Sequence, residues 1–174
     1  GTFSKTLLPS MRVAYLVLPR PIVAIFRSAK WLADWASPSF EQISLARMLE
    51  SGDFERHLRR ARTLYARSRA ALVEAIDEEL ASFEPTYHNS RAGLHLLLQL
   101  KAVPAGALRD ILIGAVEQGL GLYPAAPSYL DPSSLENLEL VMGFGRLEPD
   151  AIRLGIRTLR SLLEQASPRK RSHR

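Results

Sequence analysis

The sequence predicts an α+β fold, in which helices pack on a small, largely antiparallel sheet after a leading helical arm. Three observations support this class. Over residues 54–80, apolar residues recur three, four or seven positions apart, which is typical of one face of a long helix. Over residues 94–100, leucines alternate with a period of two, as in a half-buried strand. Hydrophobic residues make up 47% of the 174 positions, which is enough for a core.

The first part of the chain predicts one strand and three helices. Residues 11–18 (MRVAYLVL) are apolar, rich in β-formers and bounded by prolines, which indicates a strand. Helices are expected at about 21–36, starting with a proline in the first turn, and from Ser39, a suitable N-cap, to Gly52. The apolar faces of these two helices consist of Ile22, Ile25, Phe26, Ala29 and Leu32, and of Phe40, Ile43, Ala46, Met48 and Leu49.

The second part predicts a hairpin, two helices and two further strands. The hairpin comprises residues 83–87 and 94–100, with a turn between them, and Leu94, Leu96, Leu98 and Leu100 form its buried face. A helix at 104–118 ends at a glycine. Short strands follow at 121–124 and 138–144. The last helix begins at 148–150, and its inward residues are Ile152, Ile156, Leu159 and Leu163.

Composition excludes several classes of function. The chain has no cysteine, which rules out disulfides and thiol chemistry and suits a cytoplasmic protein. No stretch approaches the roughly 20 apolar residues of a membrane span, so no membrane partner is expected, and no metal site is predicted. Lys and Arg exceed Asp and Glu by 23 to 18, a weak indication of anionic partners. Because no initiator Met precedes Gly1, we expect the chain to come from a longer parent.

The chemically most suggestive stretch is the opening, GTFSKTLLPSMRVAY. A lysine such as Lys5 forms an imine with an aldehyde only as the neutral amine, which a nearby fixed cation favours. Arg12 supplies such a cation and can hold a phosphate through paired hydrogen bonds, while Thr2 and Ser4 add hydroxyl donors. An imine-forming lysine beside a phosphate site is what pyridoxal phosphate requires. The alternative is an ordinary surface lysine.

The full string resembles the lysine segment of fold type I pyridoxal-phosphate enzymes of the class I/II aminotransferase group. In particular, GTFSK resembles the MocR-type transcription regulators of the GntR family, in which a winged-helix DNA-binding domain is fused to an aminotransferase-like domain. FERHLRRARTLYARSRAALVEAI, AGLHLLLQL, AVEQGLGLYPAAPSY and LVMGFGRLEPDAIRLGIRTL resemble later segments of the same branch. The resemblance covers almost the whole chain.

The resemblance implies roles for individual residues. Lys5 would form the imine with pyridoxal phosphate, and Thr2, Ser4 and Arg12 would bind the cofactor, Thr2 and Arg12 at its phosphate. His95 becomes a candidate for the substrate cleft, with a structural role as the alternative. Tyr15 is expected to pack within the strand, and His57 and His88 are expected to be surface residues without a functional cluster.

Two departures from the family pattern affect the expected activity. Many relatives carry an arginine that binds the substrate carboxylate, two residues before a Gly-Phe pair. Here the pair is Gly143-Phe144, and Val141 occupies the arginine position. Arg146 is a possible substitute, although strand direction argues against it. The aromatic residue that stacks on the cofactor ring and the aspartate that pairs with its nitrogen would lie upstream of Gly1. We therefore expect the isolated chain to bind pyridoxal phosphate weakly or not at all.

The resemblance also implies a domain organisation. Residues 1–38 would be a remnant of the large cofactor-binding domain, residues 39–166 the long interdomain helix and the small C-terminal domain of the fold, and residues 167–174 a disordered basic tail. The parent is expected to be a homodimer that contacts DNA only through a domain absent from this chain. Its effector would be a small amine, an amino acid or pyridoxal phosphate.

Three functions stay open at this point. The first is the effector domain of a MocR-type regulator, the second is part of a genuine class I/II aminotransferase, and the third is a non-catalytic interaction module with a vestigial lysine. The replacement of the carboxylate-binding arginine by Val141 favours the regulator, because a protein that senses the cofactor has no need of that arginine.

Overall fold

The computed structural model describes residues 1–35, 39–88, 93–145 and 147–166. The chain forms two compact units, Gly1–Arg62 and Thr63–Arg174, and their boundary falls within one long helix. The basic tail and the greater part of the predicted hairpin turn lie outside the described residues.

The first unit contains two complete helices and the start of a third. They are α1 (Arg20–Asp34), α2 (Ser39–Glu50) and α3 (Asp53–Glu79), which confirms the three predicted helices. A short 3-10 turn at Pro9–Met11 precedes α1. Ser51 and Asp53 bond to each other through their side chains at the start of α3 (2.7 Å), which places a carboxylate at the positive end of the helix.

The apolar faces predicted for α1 and α2 remain on the surface. No residue of α1 is buried, and Leu45, which was not part of the predicted stripe, is the buried residue of α2. Ile25, Leu32 and Phe40 are exposed by 66%, 69% and 78%. An amphipathic helix buries its stripe only where a second layer covers it, and within the described part of this unit no layer covers these faces.

The strand predicted at 11–18 is wrong in this structure. The segment pairs through a single antiparallel bridge between Thr2 and Ala14, while Leu16 and Val17 are exposed by 71% and 87%. β-forming side chains stabilise a strand chiefly by packing on neighbouring strands, and here the described residues supply one short partner.

The second unit is built on a three-stranded antiparallel sheet in the order β1–β2–β3. The strands are β1 (Pro85–His88), β2 (His95–Pro104) and β3 (Asn137–Gly143), as the hairpin and the strand at 138–144 predict. Leu98 on β2 lies opposite both Tyr87 and Leu140. The strand predicted at 121–124 is reduced to one bridge, between Pro124 and Leu140 at the outer edge of β3.

Helices α4 (Leu108–Glu117) and α5 (Pro149–Ala166) complete this unit together with the second part of α3. The predicted helix at 104–118 is shorter than expected because Pro104 ends β2 and a 3-10 turn precedes α4. The core includes the predicted inward residues of α5 and, from the predicted buried face of the hairpin, Leu96, Leu98 and Leu100, whereas Leu94 is half-buried and precedes β2. Its fully buried side chains are Ile76, Leu80, Leu98, Leu100, Val103, Ile111, Leu138, Leu140, Leu159 and Leu163.

Candidate functional site

The lysine loop, residues 1–15, is closed by backbone hydrogen bonds between its two ends. The nitrogen of Gly1 donates to the carbonyl of Tyr15 (2.8 Å), and the amide of Tyr15 donates back to Gly1 (2.9 Å). The amide of Phe3 donates to Val13 (3.0 Å). In this pairing Arg12 immediately precedes Val13, and Ser4 and Lys5 follow Phe3.

Lys5 lies within a tight turn inside the loop. The carbonyl of Phe3 accepts from the amides of Thr6 (3.1 Å) and Leu7 (2.9 Å) and from the hydroxyl of Thr6 (3.2 Å). Lys5 is therefore enclosed by the hydrogen bonds of the turn while its side chain is exposed. This arrangement fixes the backbone at the lysine and leaves its amine accessible.

The other predicted cofactor ligands have distinct local roles. The hydroxyl oxygen of Thr2 accepts from the amide of Ser4 (3.2 Å), so Thr2 shapes the loop. Arg12 is exposed and adopts a left-handed backbone conformation (φ 50°). Such a conformation is costly for a residue with a Cβ and is concentrated at functional sites and turns.

The donor set fits two parts of pyridoxal phosphate. The primary amine of Lys5 suits the aldehyde, and the guanidinium of Arg12 together with the hydroxyl of Ser4 suits the phosphate oxygens. The structure thus brings Thr2, Ser4, Lys5 and Arg12 onto one closed loop. Their assignment as cofactor ligands stays a prediction.

His57 makes a contact that was not predicted: it is exposed, as expected of a surface residue, but it lies against the turn that contains Lys5. Its Nε2 atom lies 2.8 Å from the carbonyl oxygen of Thr6, next to the lysine. One turn earlier on α3, the ring of Phe54 meets the ring of Phe3 edge-on, with centroids 5.6 Å apart. The three-residue spacing of Phe54 and His57, which puts them on one helix face, was the available signal.

The second unit contains an apolar cavity of about 480 Å³, lined mainly by β3, α5 and the segment before Pro124. Val141, the position expected for a carboxylate-binding arginine, is half-buried on β3 and lines this cavity. His95 is exposed on β2 and lies opposite Gly143 on β3. Its ring packs so closely on the glycine that a Cβ atom added at Gly143 would lie 3.2 Å from the Cδ2 atom of His95. Arg146, the possible substitute, lies outside the described residues.

A row of hydrogen bonds crosses the sheet on one face. Thr86 on β1 donates to Gln99 on β2 (3.2 Å), and Gln99 donates to Glu139 on β3 (3.2 Å). The phenol of Tyr129 donates to the same carboxylate (2.6 Å), and this hydrogen bond raises the pKa of Tyr129 above its usual range. The row joins all three strands and ties the loop that precedes β3 to the sheet.

None of the helices in the described ranges is long and apolar enough to cross a membrane. Within those same ranges, no group of three or more His, Asp or Glu side chains lies close enough to hold a metal ion.

The fold belongs to the fold type I aminotransferase class. The structure of LysN, an α-aminoadipate aminotransferase from Thermus thermophilus complexed with N-(5'-phosphopyridoxyl)-L-leucine, superposes with a TM-score of 0.76 at 25% identity. The match covers 94% of this chain and 41% of LysN. It confirms the α+β fold class expected from the resemblance.

At the level of sequence, the relatives include HTH-type transcription regulators and a 2-aminoadipate transaminase of Thermus thermophilus, which is 28% identical over 160 residues. The chain is 34% identical over 161 residues to the uncharacterised HTH-type transcriptional regulator YhdI of Bacillus subtilis, and 30% identical to the probable rhizopine catabolism regulatory protein MocR of Rhizobium meliloti. Each match covers 92% of this chain, which spans about a third of the length of either regulator. No protein-family model matches the chain. The chain is therefore a homologue of a segment of the MocR-type, GntR-like regulators.

Proposed function

We propose that this chain is the lysine-bearing part of a pyridoxal-phosphate-binding, aminotransferase-like effector domain in a MocR-type transcription regulator. The observation that carries the proposal is the closed loop that contains Lys5, Arg12 and Ser4, in a chain related to HTH-type regulators. The aminotransferase fold of the chain is the scaffold on which such a loop would be expected.

In this proposal the four candidate ligands of the loop have distinct tasks. The amine of Lys5 binds the aldehyde of the cofactor, and Arg12 and Ser4 bind its phosphate through charge-assisted hydrogen bonds. Thr2 holds the amide of Ser4 and so keeps the loop in shape, besides offering its hydroxyl to the phosphate. When bound, pyridoxal phosphate supplies an electron sink for chemistry at an amine.

The remaining functions fall to the rest of a longer parent. The ring of the cofactor would be held by segments upstream of Gly1, so the chain alone binds it weakly. DNA binding falls to a separate domain, the parent is a cytoplasmic homodimer, and the effector is a small amine, an amino acid or the cofactor itself. Residues 1–38 derive from the large domain in this view, and residues 39–166 form the interdomain helix and the small domain.

Reductive trapping tests the role of Lys5. The chain is incubated with excess pyridoxal phosphate, reduced with borohydride and mapped by mass spectrometry, so that a weak adduct accumulates. We expect the pyridoxyl group mainly on Lys5, with Lys30 and Lys101 as internal comparisons, and its loss from that peptide in Lys5→Ala. Equal labelling of the three lysines would refute the proposal. An Arg12→Ala variant should reduce labelling of Lys5 by pyridoxal phosphate but not by pyridoxal, which has no phosphate.

A second candidate is a working aminotransferase, and the structural match to LysN favours it. Val141 argues against it, because a valine side chain cannot bind a carboxylate. The sequence upstream of Gly1 separates the two: a winged helix supports the regulator, and its absence supports the enzyme. If Lys5 shows no preference in the trapping experiment, the interaction module with a vestigial lysine becomes the better description.

A further inference from the structure

Helix α3 contacts the lysine loop through two residues on one face of its N-terminal end, Phe54 and His57. The ring of Phe54 packs edge-on against Phe3, at 5.6 Å between centroids and 71° between planes. One turn on, Nε2 of His57 lies 2.8 Å from the carbonyl oxygen of Thr6. Phe3 lies two residues before Lys5, and Thr6 lies one residue after it. The two contacts with α3 therefore flank the lysine in the sequence.

The chemistry of the two atoms determines which one donates the hydrogen bond. A carbonyl oxygen can only accept, so Nε2 of His57 must carry the hydrogen and donate. Both the imidazolium and the neutral tautomer protonated at Nε2 can do this. The other carbonyl of the turn, that of Phe3, already accepts from Thr6 and Leu7 within the loop. The hydrogen bond from His57 therefore joins the carbonyl of Thr6 to helix α3. The hydrogen bonds to Phe3 join residues of the loop only to one another.

We propose that His57 is a positioning residue for Lys5. Its hydrogen bond to Thr6 holds the turn in the conformation that presents the lysine amine, and Phe54 supports the same turn through Phe3. The proposal rests on the proposed function of Lys5, and it assigns His57 no contact with the cofactor.

Three variants test the proposal in the full 174-residue chain. His57→Leu removes the donor. His57→Gln keeps it, because the glutamine amide nitrogen reaches the position of Nε2. Arg60→Leu places the same leucine at an exposed position of the same helix and serves as the matched control. The first measurement is hydrogen exchange of the Thr6 and Leu7 amides, which needs no cofactor.

A lost hydrogen bond with a net value of about 1 kcal/mol corresponds to an exchange about 5-fold faster. We expect this acceleration in His57→Leu, and rates close to wild type in His57→Gln and Arg60→Leu. The second measurement is the ratio of Lys5 to Lys101 labelling by pyridoxal phosphate under reductive trapping. It should fall in His57→Leu by a similar factor and recover in His57→Gln.

The two readouts separate the possible failures. Equal labelling of Lys5 and Lys101 in the wild-type chain would refute the proposed function, while the exchange rates still decide whether His57 holds the turn. Unchanged exchange in His57→Leu, or a His57→Gln variant as defective as His57→Leu, would overturn the positioning role. If His57→Leu fails to fold, His57→Asn replaces it, because its shorter amide cannot reach the position of Nε2 and should behave as donor-free.

Discussion

Truncation of Leu98 to alanine should destabilise the second unit by about 3 kcal/mol. Leu98 is fully buried at the centre of β2, paired with Leu140 on one side and Tyr87 on the other. The change removes three buried carbon atoms worth about 0.8 kcal/mol each, or roughly 2.4 kcal/mol of transfer free energy. The cavity left between sheet and helices adds to this, within the observed span of about 2–5 kcal/mol for such truncations.

The neighbouring residue provides the control. Leu97 points to the opposite face of β2 and is half-buried, so Leu97→Ala should cost about 1 kcal/mol or less. Urea unfolding followed by far-UV circular dichroism, with hydrogen exchange of the β2 amides, measures both variants. Tryptophan fluorescence does not report on this unit, because Trp31 and Trp35 both lie in the first. Equal losses for the two variants would show that the assignment of the sheet faces is wrong.

Three further predictions concern single contacts. The hydrogen bond to the carboxylate of Glu139 raises the pKa of Tyr129. The stability that this bond contributes is therefore complete below the usual tyrosine pKa and is lost as the pH rises through the raised pKa. The absorbance of tyrosinate should show that Tyr129 deprotonates at a higher pH in the wild type than in Glu139→Gln. Ser68 donates its buried hydroxyl to the carbonyl of Leu147 (2.9 Å), and Ser68→Ala should cost about 1 kcal/mol in urea unfolding, a value near zero contradicting the role of this bond. In equilibrium dialysis the chain should bind pyridoxal phosphate weakly through Lys5, because the proposed function assigns the ring of the cofactor to other segments, and a tight stoichiometric complex would contradict that assignment.

Much of the fold was predictable because its signals are local. The long stripe of α3 and the alternating leucines of β2 each depend on residues two to seven positions apart, and both elements form where expected. The outcome for α1 and α2 was not predictable in the same way. Their apolar stripes give the correct helices, but burial depends on a covering layer, and Leu45 rather than Phe40 is the buried residue of α2.

The candidate site divides along the same line. Lys5 and Arg12 could be chosen from residue chemistry and a family resemblance, since both lie in one short stretch. For His57, the spacing from Phe54 indicates a shared helix face but does not identify the partner, because Thr6 is 51 positions away and the contact exists only in the folded chain. The bridge that closes the loop, between Thr2 and Ala14, is likewise a product of folding.

By itself, the sequence determined the positions of the helices and of the main strands. It also determined the presence of Lys5, an amine suited to an aldehyde, seven positions before Arg12, a cation suited to a phosphate. These properties follow from side-chain chemistry and from spacing along one element. Only the tertiary structure decided that the segment 11–18 stays largely unpaired, that the faces of α1 and α2 remain exposed, and that His57 lies within hydrogen-bond distance of Thr6. Those outcomes depend on contacts between residues far apart in the chain, whose energies no local pattern contains.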